Sequence, residues 1–146
     1  MENVSTVKLG LLSIMGAIGA FISTLFGGWD MALTTLVIFM AIDYITGLIV
    51  AGVFHKSGKS ENGGLESRAG WKGLCRKGGT LLIVLIATRL DLAIGSTFIR
   101  DGVVIAYIIN EAISITENVG LMGIPVPSVI QKAIDVLQKK SAGDQS

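Results

Sequence analysis

Uncharged stretches of roughly membrane-crossing length succeed one another along this chain. Residues 9–29 carry no charge, 31–54 carry only Asp43, and 79–99 carry only Arg89 and Asp91. A shorter run, 103–116, contains Glu111. A crossing helix needs about 20 predominantly apolar residues. The first two runs therefore predict spanning helices outright. The third reaches the length but carries charges near its middle. The fourth reads as a tilted span, a re-entrant helix or an interfacial one. The pattern predicts an all-α integral membrane protein with three to four transmembrane helices, at about 9–28, 31–54, 79–99 and 103–116, with a basic loop, 55–78, at its centre.

Beyond Pro125 and Pro127 the periodicity changes, which bounds a transmembrane domain at 1–127. Val129, Ile130, Ala133, Ile134 and Leu137 fall on one helical face, and Gln131, Lys132, Asp135, Gln138 and Lys139 on the other. This predicts an amphipathic helix in a cytoplasmic tail, 128–146, with Ser128 as its cap, Gln131 as the capping-box partner, and fraying from Ser141. Such a helix either lies on the inner leaflet or packs against copies of itself.

Composition sharpens the picture. The 146 residues are 51% hydrophobic and 16% charged, with mean hydropathy +0.68; average soluble domains are roughly 25% charged. A disordered chain is excluded, and a net charge of +1 gives no reason to expect a nucleic-acid partner. The length allows one domain. The first run is longer than the apolar core of about 7–15 residues in a signal peptide, so it is expected to be kept. Cys75 is the one cysteine and cannot form an intramolecular disulfide.

The charges give an orientation. Lys56, Lys59, Arg68, Lys72, Arg76 and Lys77 fill the central loop, and Lys132, Lys139 and Lys140 the tail. The short connections, 27–30 and 100–101, offer only Arg100. Basic segments stay in the cytoplasm. Four spans place both termini and the central loop there, with ten of the twelve basic residues.

No catalytic constellation is visible, and the chain is not expected to be an enzyme or to hold a metal or cofactor. Gly58-Lys59-Ser60 resembles the end of a phosphate-binding loop, but Val53 stands where that motif needs its first glycine. His55 is the only histidine, which leaves neither a zinc set nor a Ser-His-Asp triad.

The candidate functional residues lie within the apolar runs. Gly16, Ala20, Thr24 and Gly28 recur every four residues, a spacing that lets helix backbones approach closely in lipid. They serve packing within the bundle, self-association, or both. Asp43, Arg89, Asp91 and Glu111 are intramembrane charges, each costing roughly 2.5–3.5 kcal/mol if left unpaired at the bilayer centre. They must pair or meet water. One arginine neutralises one carboxylate, and the remaining two are protonated or line a hydrated path. Thr46 shares a face with Asp43, and Asn110 and Glu117 stand near Glu111. A hairpin turning at Arg100-Asp101 would bring Arg89 level with Glu111.

A set of ordered segments then stands out: Asp43-Tyr44-Ile45-Thr46-Gly47; Ser67-Arg68-Ala69-Gly70-Trp71-Lys72-Gly73-Leu74-Cys75-Arg76-Lys77; Ile99-Arg100-Asp101; Tyr107-Ile108-Ile109-Asn110-Glu111-Ala112-Ile113-Ser114-Ile115 with Glu117-Asn118; and Gly123-Ile124-Pro125-Val126-Pro127. In this order and spacing they resemble the phage-lysis and clostridial toxin-secretion holin family, over about 33–137. The resemblance implies a small protein of the host cytoplasmic membrane that self-associates and permeabilises it. An endolysin or a toxin is then released as cargo without being bound. From the residues alone, a small oligomeric ion or solute channel and a membrane-anchored assembly factor remain open.

Overall fold

A computed structural model describes residues 2–143. It is all-α, with five helices: α1 Glu2–Leu25, α2 Met31–Gly52, α3 Ser67–Ile94, α4 Phe98–Leu121 and α5 Ser128–Gly143. Two compact units result, 1–30 and 31–146.

The first unit is α1 and the turn after it. Its stretch Asn3–Leu25 is long and apolar enough to cross a membrane, and none of the apolar window is buried. Hydroxyls within it bond back to the helix, Ser13 to the Leu9 carbonyl at 2.9 Å and Thr24 to that of Phe21 at 2.6 Å. This satisfies groups that lipid could not. Gly28 is not part of a packing stripe, as the four-residue spacing had suggested. It lies in the turn beyond the helix with φ +99°, and its N–H bonds to the Ser23 carbonyl at 2.9 Å. It ends the helix by taking up an orphan carbonyl.

The second unit is a bundle of α2, α3 and α4, with α5 packed mainly on α4. On α2, Leu33, Leu36, Met40, Asp43 and Val50 are buried, at the three-, four- and seven-residue spacings of one helical face. Val84, Ala87, Thr88 and Asp91 form the matching stripe on α3. Arg100, Val104, Glu111 and Asn118 do so on α4. Charged residues thus sit on all three core-facing stripes. Of these three helices α2 alone, Met31–Gly52, is apolar enough by composition to cross a membrane.

α1 starts at Glu2 rather than 9, and α4 runs to Leu121 rather than 116; two further boundaries differ in ways that shape the site. The first is the start of α3. Ser67 to Gly78, expected within the basic loop, are its first three turns, so Arg68, Lys72, Arg76 and Lys77 are helical and only residues 53–66 form the connection. That connection is compact. Gly63 has φ +75°, and a Cβ there would lie 2.4 Å from the His55 carbonyl oxygen, so the position requires glycine. The second is the α3–α4 hairpin, which turns at Gly95 to Thr97 rather than at Arg100-Asp101. Gly95 closes α3 in the left-handed conformation, φ +71°. Asp91 then caps α4 from the preceding helix. Its carboxylate accepts the backbone N–H of Ile99 at 3.1 Å and of Arg100 at 2.7 Å, and the Ser96 hydroxyl.

At the start of α5 the N–H of Ile130 bonds to the Pro127 carbonyl at 3.0 Å. Among the described residues no side-chain cap from Ser128 or Gln131 forms. The fraying expected from Ser141 is not seen as far as Gly143, where α5 ends; residues 144–146 lie outside the described residues.

Candidate functional site

The three charged stripes converge on one cluster. Lys77 Nζ lies 2.7 Å from Asp43 Oδ2 and 2.6 Å from Glu111 Oε2, joining α3 to both α2 and α4. The side chains are 15%, 6% and 11% exposed respectively, so water screens these pairs little. Asn118 completes the layer. Its amide donates to Asp43 Oδ1 and to Thr46 Oγ1, both at 3.0 Å, and to the Asp43 carbonyl at 3.3 Å. Thr46 in turn donates to the Ile42 carbonyl at 2.8 Å. Among the described residues no buried side-chain nitrogen or oxygen lacks a partner. A fully satisfied network of this kind can be held in a low-dielectric interior, where one unmatched member would be costly.

Sequence spacing explains the convergence. Lys77, Val84 and Asp91 are seven residues apart on α3, as are Glu111 and Asn118 on α4 and Leu36, Asp43 and Val50 on α2. Seven residues return to the same helical face. Asp43 lies about 14 Å from the Gly52 end of α2 at 1.5 Å per residue. Lys77 and Glu111 lie about 15 Å from the Ser67 and Leu121 ends of theirs.

The expected pairing of Arg89 with Glu111 does not form. Because the hairpin turns before Arg100, Arg89 stands seven residues from Ser96 and Glu111 fifteen, which separates them by about 12 Å in depth. Arg89 is exposed near the end of α3, and Glu111 bonds to Lys77. Asp91 is also outside the cluster, held in its capping role. Asn110 and Glu117 are exposed and border the cavity described next. Lys77, placed by sequence among the loop cations, is the residue whose role was missed, together with Asn118. The signal was the surplus of carboxylates over arginines in the apolar runs, which calls for a further cation within reach.

A half-open cavity of about 880 Å³ lies above this cluster within the second unit. Asp43, Lys77 and Glu111 line it, Tyr44 and Gly73 stand at its wall, and Lys59 belongs to the loop beside it. Tyr44 reaches from α2 to α3, its hydroxyl donating to the Gly70 carbonyl at 3.4 Å. Its ring lies beside Gly73. Among the described residues no group of three or more His, Cys, Asp or Glu is arranged to hold a metal ion.

An all-α chain with two helices long and apolar enough to cross a membrane, and a satisfied charge cluster within its bundle, fits the class of small helical membrane proteins. The chain belongs to the bacteriophage holin family, which it matches over residues 20–139. It is similar to the uncharacterised 14.9 kDa protein in the nagH 3′ region of Clostridium perfringens, 36% identical over 143 residues, 96% of this chain and 99% of that one. An uncharacterised protein of Listeria monocytogenes is 37% identical over 140 residues, 95% of this chain and 91% of its own. A protein of Bacillus phage phi105 named "Probable holin" is 32% identical over 120 residues, 78% of this chain and 83% of its own. No solved structure matches.

Proposed function

We propose that this chain acts as a holin: it accumulates in the bacterial cytoplasmic membrane, self-associates and permeabilises it, releasing an endolysin or toxin that it does not bind. The observation that carries this reading is the family match over residues 20–139, together with two helices of crossing length. The protein is a membrane-disrupting assembly and not an enzyme.

Four crossings fit the helix lengths. α3 and α4 have 28 and 24 residues, about 42 and 36 Å at 1.5 Å per residue, against a hydrocarbon core of about 30 Å. The charges that dilute their apolar character include Lys77, Asp91 and Glu111, which are satisfied within the unit. Residues 53–66, the start of α3 and the tail then lie in the cytoplasm, following their lysines and arginines. Gly16, Ala20 and Thr24 on α1 supply the close contacts between copies.

The reading is tested by expressing the protein together with a peptidoglycan hydrolase that lacks an export signal. Lysis should require both proteins, and expression of this chain alone should release a cytoplasmic enzyme. Lysis with neither dependence, or no release, would refute it.

A further inference from the structure

The start of α3 carries a column of cations that the cluster does not use. Arg68, Lys72 and Arg76 are spaced four residues apart, which stacks them on one helical face, where like charges repel. All three are exposed, and among the described residues none is ion-paired. Lys72 and Arg76 line the rim of the cavity, and Lys59 approaches from the loop. Trp71, 66% exposed, adjoins Lys72 in the chain, and Ile83 and Ile86, 44% and 53% exposed, continue the column's own face along α3. On the four-crossing reading, α3 exceeds the hydrocarbon core by about 12 Å, or roughly eight residues. That places the start of α3, with its cations, in the headgroup layer, where tryptophan and basic residues anchor helices.

We propose that this column is a binding site for the phosphate of an anionic phospholipid of the cytoplasmic leaflet, whose acyl chains lie against Ile83 and Ile86. The chemistry is that of basic pockets between helices on the cytoplasmic side, which take lipid headgroups. Polarity also sets the depth of the phosphate. The cavity floor holds Asp43 and Glu111 against Lys77 alone, and Glu66 and Glu117 also line the walls. An anion is therefore held at the basic rim and repelled from the floor. A lipid fits better than a free anion, because the exposed Ile83 and Ile86 continue the column's face toward the bilayer centre.

The proposal rests on the membrane reading, which is checked first by resistance to alkaline extraction from membranes. The purified protein carrying Trp29→Phe, so that Trp71 is the sole tryptophan, is placed in phosphatidylcholine nanodiscs. Brominated phosphatidylglycerol or brominated phosphatidylcholine is then added as quencher. Phosphatidylglycerol should quench Trp71 at a several-fold lower mole fraction. Each of Arg68→Gln, Lys72→Gln and Arg76→Gln should weaken that preference by up to about fivefold, while Arg68→Lys and Arg76→Lys retain it. Circular dichroism checks that each variant keeps its helices. Equal quenching by the two lipids, or a preference unchanged when all three cations are removed, would overturn the proposal. So would full competition by inorganic phosphate, which would make this a free-anion site. Loss of alkaline resistance would instead count against the membrane reading.

Discussion

Lys77 holds two carboxylates on two different helices, so its removal should do more harm than removal of any other single cation. Lys77→Met leaves Asp43 and Glu111 buried without a counter-charge, at a cost of about 3–5 kcal/mol. Membrane abundance and thermal stability in detergent should both fall. Adding Asp43→Asn and Glu111→Gln to Lys77→Met should recover part of the loss, because no charge is then stranded; strictly additive effects would contradict the coupling. Arg89→Gln, by contrast, should stay within about 0.5 kcal/mol of the parent, as an exposed residue does. Asp91→Ala removes three hydrogen bonds at the start of α4 and should cost about 1–3 kcal/mol, read as a lower midpoint of thermal unfolding. Of these residues, sequence alone flagged Asp43, Asp91 and Glu111 as needing partners, but not which partners. The pairing depends on where the hairpin turns, and Asp91 sets that turn by capping a helix to which it does not belong.

At the scale of elements, the apolar runs located α2 to within two residues and the end of α1 to within three, because a long uncharged stretch has few other uses, while α1 starts at Glu2, seven residues before the expected 9. The start of α3 was hidden. Ser67 to Gly78 combines basic residues with Gly70, Gly73 and Gly78, and that mixture reads as a loop. As a helix it meets Tyr44 of α2, whose hydroxyl donates to the Gly70 carbonyl, a contact between residues 26 positions apart that no local pattern records. The same helix carries the native topology probe, since Cys75 is exposed. A membrane-impermeant maleimide should leave it unmodified in intact spheroplasts and label it in inverted vesicles. Efficient labelling from outside would reverse the orientation. On α1, Gly16→Leu with Ala20→Leu should leave insertion intact while reducing cross-linked oligomers and delaying lysis. Unchanged oligomers and timing would remove the stripe from the assembly.

At the scale of the whole molecule, the second unit holds its charges internally, and α1, taken by itself, is an apolar helix of crossing length. The proposed function has the protein inert to the membrane as a single copy and disruptive as an assembly. The most direct measurement is therefore membrane potential followed in cells against the amount of protein accumulated after induction. The account predicts that potential holds steady until a threshold amount is reached and then collapses abruptly, together with release of a cytoplasmic enzyme. A potential that declines in proportion to protein from the first copies made, with no enzyme release, would describe a fixed channel and contradict the account.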